Sequence, residues 1–393
     1  MSRRTSEKLH SFARPQTNLL LGSFIETIKV RCERNLRPRA LLFASTYDCN
    51  MRCKMCNIWK RKDSSELTSA EIITALKNNR AFLSKLRWVQ ITGGEPSLKG
   101  DRIQSILRTF LEICPNLISI GFPTNGYLSG EIIKLSKKVL DDIHSLKRKT
   151  TLQVHVSLDG TREIHDLQRG VTGSFDASLV TVGLLKELER ERSLFKVALG
   201  CTVTPMNISK LDEILAIAQK LDCEIYFTPA TTSDIFYGNR YLADNLNLQN
   251  RTHRLASFYK SILRLERFDP FMRYYINYFY EDAINIMKGN IRRIPCTAAY
   301  GWLFVNPYGV VYPCHVAGED FSLGNLGELS TLKFSKNTCV AMKKLKKSGN
   351  CESCMENCGL GWNVQLNVNS FLAYLINGHL FDFLSDYVKY IST

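Results

Sequence analysis

The 393-residue sequence contains no run of about 18 apolar residues, so no segment is expected to span a membrane. It also lacks a short apolar stretch followed by a small-residue cleavage site at its start, so no secretory signal is expected. Its thirteen cysteines are therefore placed in a reducing, cytoplasmic compartment, where clustered thiols point to metal rather than to disulfides. What the basic runs lack is interleaved aromatics. Arg3-Arg4, Lys60-Arg61-Lys62, Lys147-Arg148-Lys149 and Lys343-Lys344 with Lys346-Lys347 are scattered along the chain. The net charge of +15 fits solvated faces, or an acidic partner such as RNA, anionic lipid or a phosphorylated substrate. With no RNA-binding module appended, nucleic acid is not the expected partner.

What is present is an ordinary 45% apolar content and enough length for one large domain plus a smaller one. From residue 39 the sequence alternates strand-like runs with helical patterns. The runs are RALLFAS, RWVQIT, ISIGFP, LQVHVSL, KVALGCTVT and EIYFTP. Between them, Ile103, Ile106, Leu107, Phe110 and Leu111, and later Leu211, Ile214, Leu215, Ala218 and Leu221, follow helical spacing. Such βα repetition argues for a parallel α/β fold, open or barrel-like, with chemistry at the C-terminal strand ends. Residues 1–38 read as a basic helical extension, 236–290 as a helical connection, and 363–393 as an amphipathic terminal helix. That last helix either packs on the domain or docks to a protein or membrane surface.

Directly after the first strand comes TYDCNMRCKMC, with Cys49, Cys53 and Cys56. Three thiolates are one short of a closed tetrahedral site, and no cysteine or histidine close by in sequence completes a zinc site. Soft thiolates select zinc, Cu(I) or iron–sulfur clusters. A [4Fe–4S] cluster held by three cysteines would leave one iron open to oxygen and nitrogen donors.

The Cys49-x3-Cys53-x2-Cys56 pattern resembles the signature of the radical S-adenosylmethionine (SAM) superfamily. Further marks follow in order: Gly93, Gly94, Glu95 and Pro96 after the second strand, SLDGTREIHDLQRG over 157–170 after the fourth, and 202–207 after the fifth. The resemblance covers roughly residues 39–230 and implies a partial (β/α)6 TIM-type barrel over 39–235. It implies that 93–96, with Glu95, hold the methionine amino group and that Ser157 and Arg169 contact the ribose or carboxylate of SAM. Asp159 shares that segment, and Thr202 and Asn207 stand where the adenine packs. Met55, where the family often has an aromatic residue, is expected to shield the cluster. The family's reduced cluster donates an electron to SAM, and the resulting 5′-deoxyadenosyl radical takes hydrogen from a substrate. A flavodoxin- or ferredoxin-type electron donor is implied with it.

Downstream, Cys296-x17-Cys314 is followed by Cys351-x2-Cys354-x3-Cys358. A zinc ribbon is the plain reading of C-x2-C. The arrangement resembles the SPASM/twitch extension, which implies a small C-terminal Cys-rich domain over 291–362 with one auxiliary [4Fe–4S] cluster. Cys296, Cys314, Cys351 and Cys354 are the expected ligands, with Cys358 a replacement for one of the last two. The other cysteines (Cys32, Cys114, Cys201, Cys223 and Cys339) are expected to be buried and inert. His315, next to Cys314, is either a hydrogen-bonding packing residue or a base for a substrate proton.

Two substrates follow from the resemblance. The short single-cluster layout resembles radical SAM dehydrogenases and implies oxidation or rearrangement of a small or conjugated metabolite. The alternative is a peptide-modifying maturase; only 38 residues precede the first strand, which argues against a fused peptide-recognition domain. A tRNA-modifying enzyme and a non-enzymatic electron carrier are weaker, the latter having no use for 93–96 and 157–170.

Overall fold

The computed structural model describes residues 38–61, 65–262, 270–294, 296–299, 301–329, 354 and 368–392. The N-terminal extension through residue 37 and Cys32, Cys339, Cys351 and Cys358 lie outside the described residues. The chain divides into two compact units, Arg37–Asn250 with Ala298–Lys347, and Met1–Leu36 with Arg251–Thr297 and Ser348–Thr393.

The first unit is built on one sheet. Its strands are β1 (Ala40–Thr46), β2 (Trp88–Gly93), β3 (Ser119–Thr124), β4 (Thr151–Ser157), β5 (Phe195–Val203), β6 (Glu224–Pro229), β7 (Trp302–Val305), β8 (Val310–Tyr312) and β9 (Gly324–Asn325). Their order is β6-β5-β4-β3-β2-β1-β7-β8-β9. β1 to β6 are parallel neighbours, β7 adds parallel to β1, and β8 and β9 follow antiparallel. The connecting helices are α1 (Ser69–Asn78), α2 (Gly100–Ile113), α3 (Ser129–Ser145), α4 (Arg162–Arg169), α5 (Ser174–Glu191) and α6 (Leu211–Lys220).

The register explains the sequence pattern. One row across the sheet runs Leu41, Val89, Ile120, Leu152 and Phe195, all buried. It faces the helices, because Phe43 on that face of β1 meets Phe110 of α2 edge-on at 6.4 Å. In α2 itself Ile103, Ile106, Leu107 and Phe110 are fully buried, the stripe that i, i+3, i+4, i+7 spacing demands. On the opposite face the next row is Leu42, Gln90, Gly121, Gln153 and Lys196. β1 and its neighbour β7 are buried at every position, so both of their faces are covered.

Residues 302–325 extend this sheet, which the sequence did not announce: strands of four, three and two residues are too short to show a period. The β7–β8 turn closes with the Gly309 amide donating to the Asn306 carbonyl at 3.0 Å, with Gly309 at φ 79°.

The second unit contains α7 (Thr252–Ile262), α8 (Pro270–Met287), α9 (Val368–Tyr374) and α10 (Leu380–Ser392). Its aromatics pack on one another: Tyr259 and Tyr280 lie 4.2 Å apart and Tyr278 stacks on Tyr374 at 4.6 Å. Among the described residues no helix is long and apolar enough to cross a membrane.

Candidate active site

The C-terminal ends of β1, β2, β4 and β5 share one rim, and each carries a segment singled out in the sequence. The cysteine loop leaves β1 and is clamped from three directions. Beneath it passes the end of β2: the Gly94 amide donates to Thr46 O and the Glu95 amide to Asp48 O, both at 2.7 Å. A Cβ on Gly93 would fall 2.0 Å from Thr46 O, and one on Gly94 1.9 Å from Asp48 O. The paired glycines are thus required by the close crossing of two backbones.

The end of α4 provides the second clamp. Amides of Arg52 and Lys54 donate to the carbonyls of Arg169 and Gln168 at 3.0 and 2.8 Å, bracketing Cys53. Gly170 ends the helix at φ 68°, and a Cβ there would lie 2.3 Å from Arg52 O. The loop after β6 provides the third. Asn57 N donates to Tyr237 O at 2.9 Å, Asn239 Nδ2 to Met55 O at 2.7 Å, and the Tyr47 hydroxyl to Ile235 O at 2.7 Å. Met55 itself is buried beside the cysteines, as a shielding residue should be.

Each cysteine of the loop is half-buried. Desolvation pushes Cys49 up to about 11 and Cys56 up to about 12, and Cys53 upward too, and each of these sulfurs feels a neighbouring one or a nearby carboxylate. Three such thiolates side by side call for a compensating cationic core, which an iron–sulfur cluster supplies. Among the described residues no three His, Cys, Asp or Glu side chains converge on a single ion.

Glu95 is 1% exposed, and its carboxylate is filled from within. Oε1 accepts from Ser97 N at 3.1 Å, Ser97 Oγ at 2.7 Å and Thr124 Oγ1 at 2.8 Å, while Oε2 accepts from Asn125 N at 2.7 Å. Three donors on Oε1 and one on Oε2 tie the side chain to the β2 and β3 ends and leave Oε2 able to accept once more. Pro96 opens the short helix Pro96–Lys99.

Asp159 is fully buried, with Oδ1 accepting from Thr202 N at 2.8 Å and Oδ2 2.6 Å from Arg169 Nε. Asn207 Nδ2 donates to Asp159 O and Thr202 O, both at 2.8 Å, and Gln168 Nε2 donates to Thr202 O at 2.9 Å. Asp159, Arg169 and Asn207 therefore form a buried brace behind Ser157 and Thr202, whose side chains stand on the open face. Gln168, Asn125 and the 231–241 loop are parts that sequence reasoning missed. Only the Gln within HDLQRG carried any signal.

That open face forms a polar trough. Gln90, Gln153, His155, Ser157 and Thr202 on the interior strands β2, β4 and β5, and Glu224, Tyr226 and Thr228 on the edge strand β6, are all half-buried or exposed there. His155 stacks on Tyr226 across β5, rings 5.8 Å apart, because the intervening β5 positions are Ala198 and Gly200. Burial in the trough pulls His155 down to about 4, so its imidazole is neutral near pH 7.

The second cysteine set is divided. Cys314 follows β8 and is buried in the first unit; Cys296 and Cys354 belong to the second. His315 is fully buried, walled by the rings of Phe236, Tyr237, Trp302 and Phe304 at 5.8 to 6.1 Å, with its carbonyl accepting from Ser233 Oγ at 2.5 Å. Cys114, Cys201 and Cys223 are buried, as expected of inert thiols.

Comparison with known proteins agrees with this geometry. The family model of the radical SAM superfamily matches residues 44–218, and that of the SPASM iron–sulfur cluster-binding domain matches 296–359. The chain is 25% identical over 293 residues to the antilisterial bacteriocin subtilosin biosynthesis protein AlbA of Bacillus subtilis, covering 74% of this chain and 57% of AlbA. It is 22% identical to the radical SAM cyclopropyl synthase TigE of Paramaledivibacter caminithermalis, covering 82% of this chain and 67% of TigE. The chain spans about half the length of the curated relatives it matches. Among solved structures, native anSMEcpe with bound AdoMet and Kp18Cys peptide shares the fold at a TM-score of 0.55 and 18% identity, covering 88% of this chain and 99% of that one. The chain therefore carries a radical SAM domain over residues 44–218, the domain that uses a [4Fe–4S] cluster and SAM, and a SPASM iron–sulfur domain over 296–359.

Proposed function

We propose that the chain takes a hydrogen atom from a polar substrate lodged in the trough on the open face of its sheet. The observation that carries this reading is the trough itself: hydrogen-bonding side chains of β2, β4, β5 and the edge strand β6 line it. Cys49, Cys53 and Cys56 would hold the cluster at the rim, and the backbone at 93–94, Ser157 and Thr202 would line the SAM site. When bound, cluster and SAM supply an electron and a carbon radical for hydrogen abstraction. The protein's own part is to bind, to orient and to keep water from a reactive centre. Ser157 and Thr202 offer hydroxyls on the open face, while Asp159 and Asn207 hold the backbone behind them.

A peptide residue is the substrate favoured by the match to AlbA, which spans most of this chain. A small or conjugated metabolite is the second reading, favoured by a trough of neutral groups such as Gln90, Gln153 and His155. One auxiliary [4Fe–4S] cluster on Cys296, Cys314, Cys351 and Cys354, or with Cys358 in place of one of the last two, would accept the electron left after abstraction. The experiment adds the peptide fraction and the small-molecule fraction of a host extract separately to reconstituted, reduced protein with SAM. The fraction that raises 5′-deoxyadenosine release above the substrate-free rate identifies the class. If neither fraction raises it, the trough reading fails.

A further inference from the structure

Gly200 leaves an opening in the trough. It lies on β5 between Ser157 of β4 and Tyr226 of β6, and a Cβ placed on it would meet nothing within 4 Å. Its backbone is not in the left-handed region, so no strain demands glycine here. Toward the N-terminal strand ends an aromatic pair closes the space. His155, level with Ala198, stacks on Tyr226 with only 22° between the ring planes. The Tyr226 hydroxyl reaches away from the rim, donating to Glu224 Oε2 at 3.0 Å, one row further down. Toward the rim stand Thr202 and Thr228. The opening is therefore a seat floored by two stacked rings, directly under the strand ends that carry the cysteine loop and the proposed SAM site.

We propose that the space over Gly200 seats an uncharged, planar amide group of the substrate, which lies on the His155–Tyr226 ring pair and takes its hydrogen bond from His155. The inference rests on the reading that the trough holds the substrate. The charged side chains of this face are already engaged: Lys196 Nζ lies 3.8 Å from Glu189 Oε1, and Glu224 accepts from the tyrosine. A charged group entering the seat would lose water without gaining a free counter-charge. His155, in contrast, has no hydrogen-bond partner among the described residues. A neutral imidazole offers one donor and one acceptor, the same pair that an amide carries. The amide is also flat, as the ring floor requires. Its source is either a peptide or a metabolite that bears a carboxamide.

The test adds the peptide and small-molecule fractions of a host extract separately to reconstituted, reduced protein with SAM. It reads the dilution of each fraction that gives half-maximal stimulation of 5′-deoxyadenosine release. Gly200→Val, whose branched side chain would fill the seat, should lose most of the response. His155→Phe keeps a ring on Tyr226 but no nitrogen, and should need roughly 3- to 10-fold more of the active fraction, the scale of one hydrogen bond. His155→Asn, which restores a donor and an acceptor, should recover part of that shift. The fraction that responds separates a peptide amide from a metabolite carboxamide. Should Gly200→Val fail to fold, Gly200→Ala decides, with a smaller shift in the same direction. An unshifted response in the Gly200 and His155→Phe variants would overturn the proposal. So would a loss of SAM affinity in Gly200→Val, measured by equilibrium dialysis, because the space would then belong to the cofactor. Wild-type protein stimulated by neither fraction would instead overturn the reading beneath it.

Discussion

Gly94 and Asp48 touch backbone to backbone: a Cβ on the glycine would lie 1.9 Å from the aspartate carbonyl oxygen. The contact seats the cysteine loop on the end of β2, and no flexible side chain stands there to yield. Gly94→Ala is expected to destabilise the fold by about 2–3 kcal/mol through overpacking, and to lower iron retention at the loop. Chemical denaturation and iron analysis of the variant check this. Gly130→Ala, at a glycine where a Cβ meets nothing within 4 Å, should leave both unchanged.

The buried His165 makes stability depend on pH. Its Nδ1 accepts from the Asp159 amide at 3.0 Å. Burial pulls it down to about 4, although Asp159 acts in the opposite direction. Its folded pKa is thus below its unfolded value of about 6.5. The stabilisation is complete above that value and is lost as pH falls toward 4, where the folded imidazole also takes up a proton. His165→Asn, which keeps an acceptor but cannot titrate, should flatten part of the decline between pH 6.5 and 4. Thermal melts across that range measure it; identical slopes would contradict the assignment.

The parallel sheet was legible because its strands are compact apolar runs separated by helical stripes, and the cysteine loop because its spacing is local. The rest was hidden for a physical reason. Asn239 reaches Met55 across 184 residues, and Tyr47 reaches Ile235 across 188. Hydrogen bonds at such separation leave no period in the sequence. Glu95 shows a different limit. Its motif was legible, but the four donors to its carboxylate come from the short helix Pro96–Lys99 and from the end of β3, so only the fold reveals that it braces these two segments.

His315 tests the aromatic box. A ring enclosed by Phe236, Tyr237, Trp302 and Phe304 is expected to act by packing, so His315→Ala should cost about 2 kcal/mol or more, the scale of a core truncation. His315→Phe should recover most of that stability and keep turnover. A folded His315→Phe protein whose turnover falls by roughly 10² would instead establish the base role weighed from the sequence.

Iron content tests the cysteine assignment. Anaerobically reconstituted protein should hold about eight irons, two cysteine-ligated [4Fe–4S] clusters. Cys296→Ala with Cys314→Ala should remove about half of them and leave the signal of the first cluster. Zinc in place of the second half would limit the assignment to the loop at Cys49, Cys53 and Cys56.

The measurement closest to the central claim is release of 5′-deoxyadenosine from SAM by reduced, reconstituted protein, followed by chromatography. The wild type should release it, and the protein with Cys49, Cys53 and Cys56 all replaced by alanine should release none, while the Cys296→Ala/Cys314→Ala protein retains release without substrate. Release that survives loss of the three loop cysteines, or its absence from wild-type protein holding its full iron, would contradict the account.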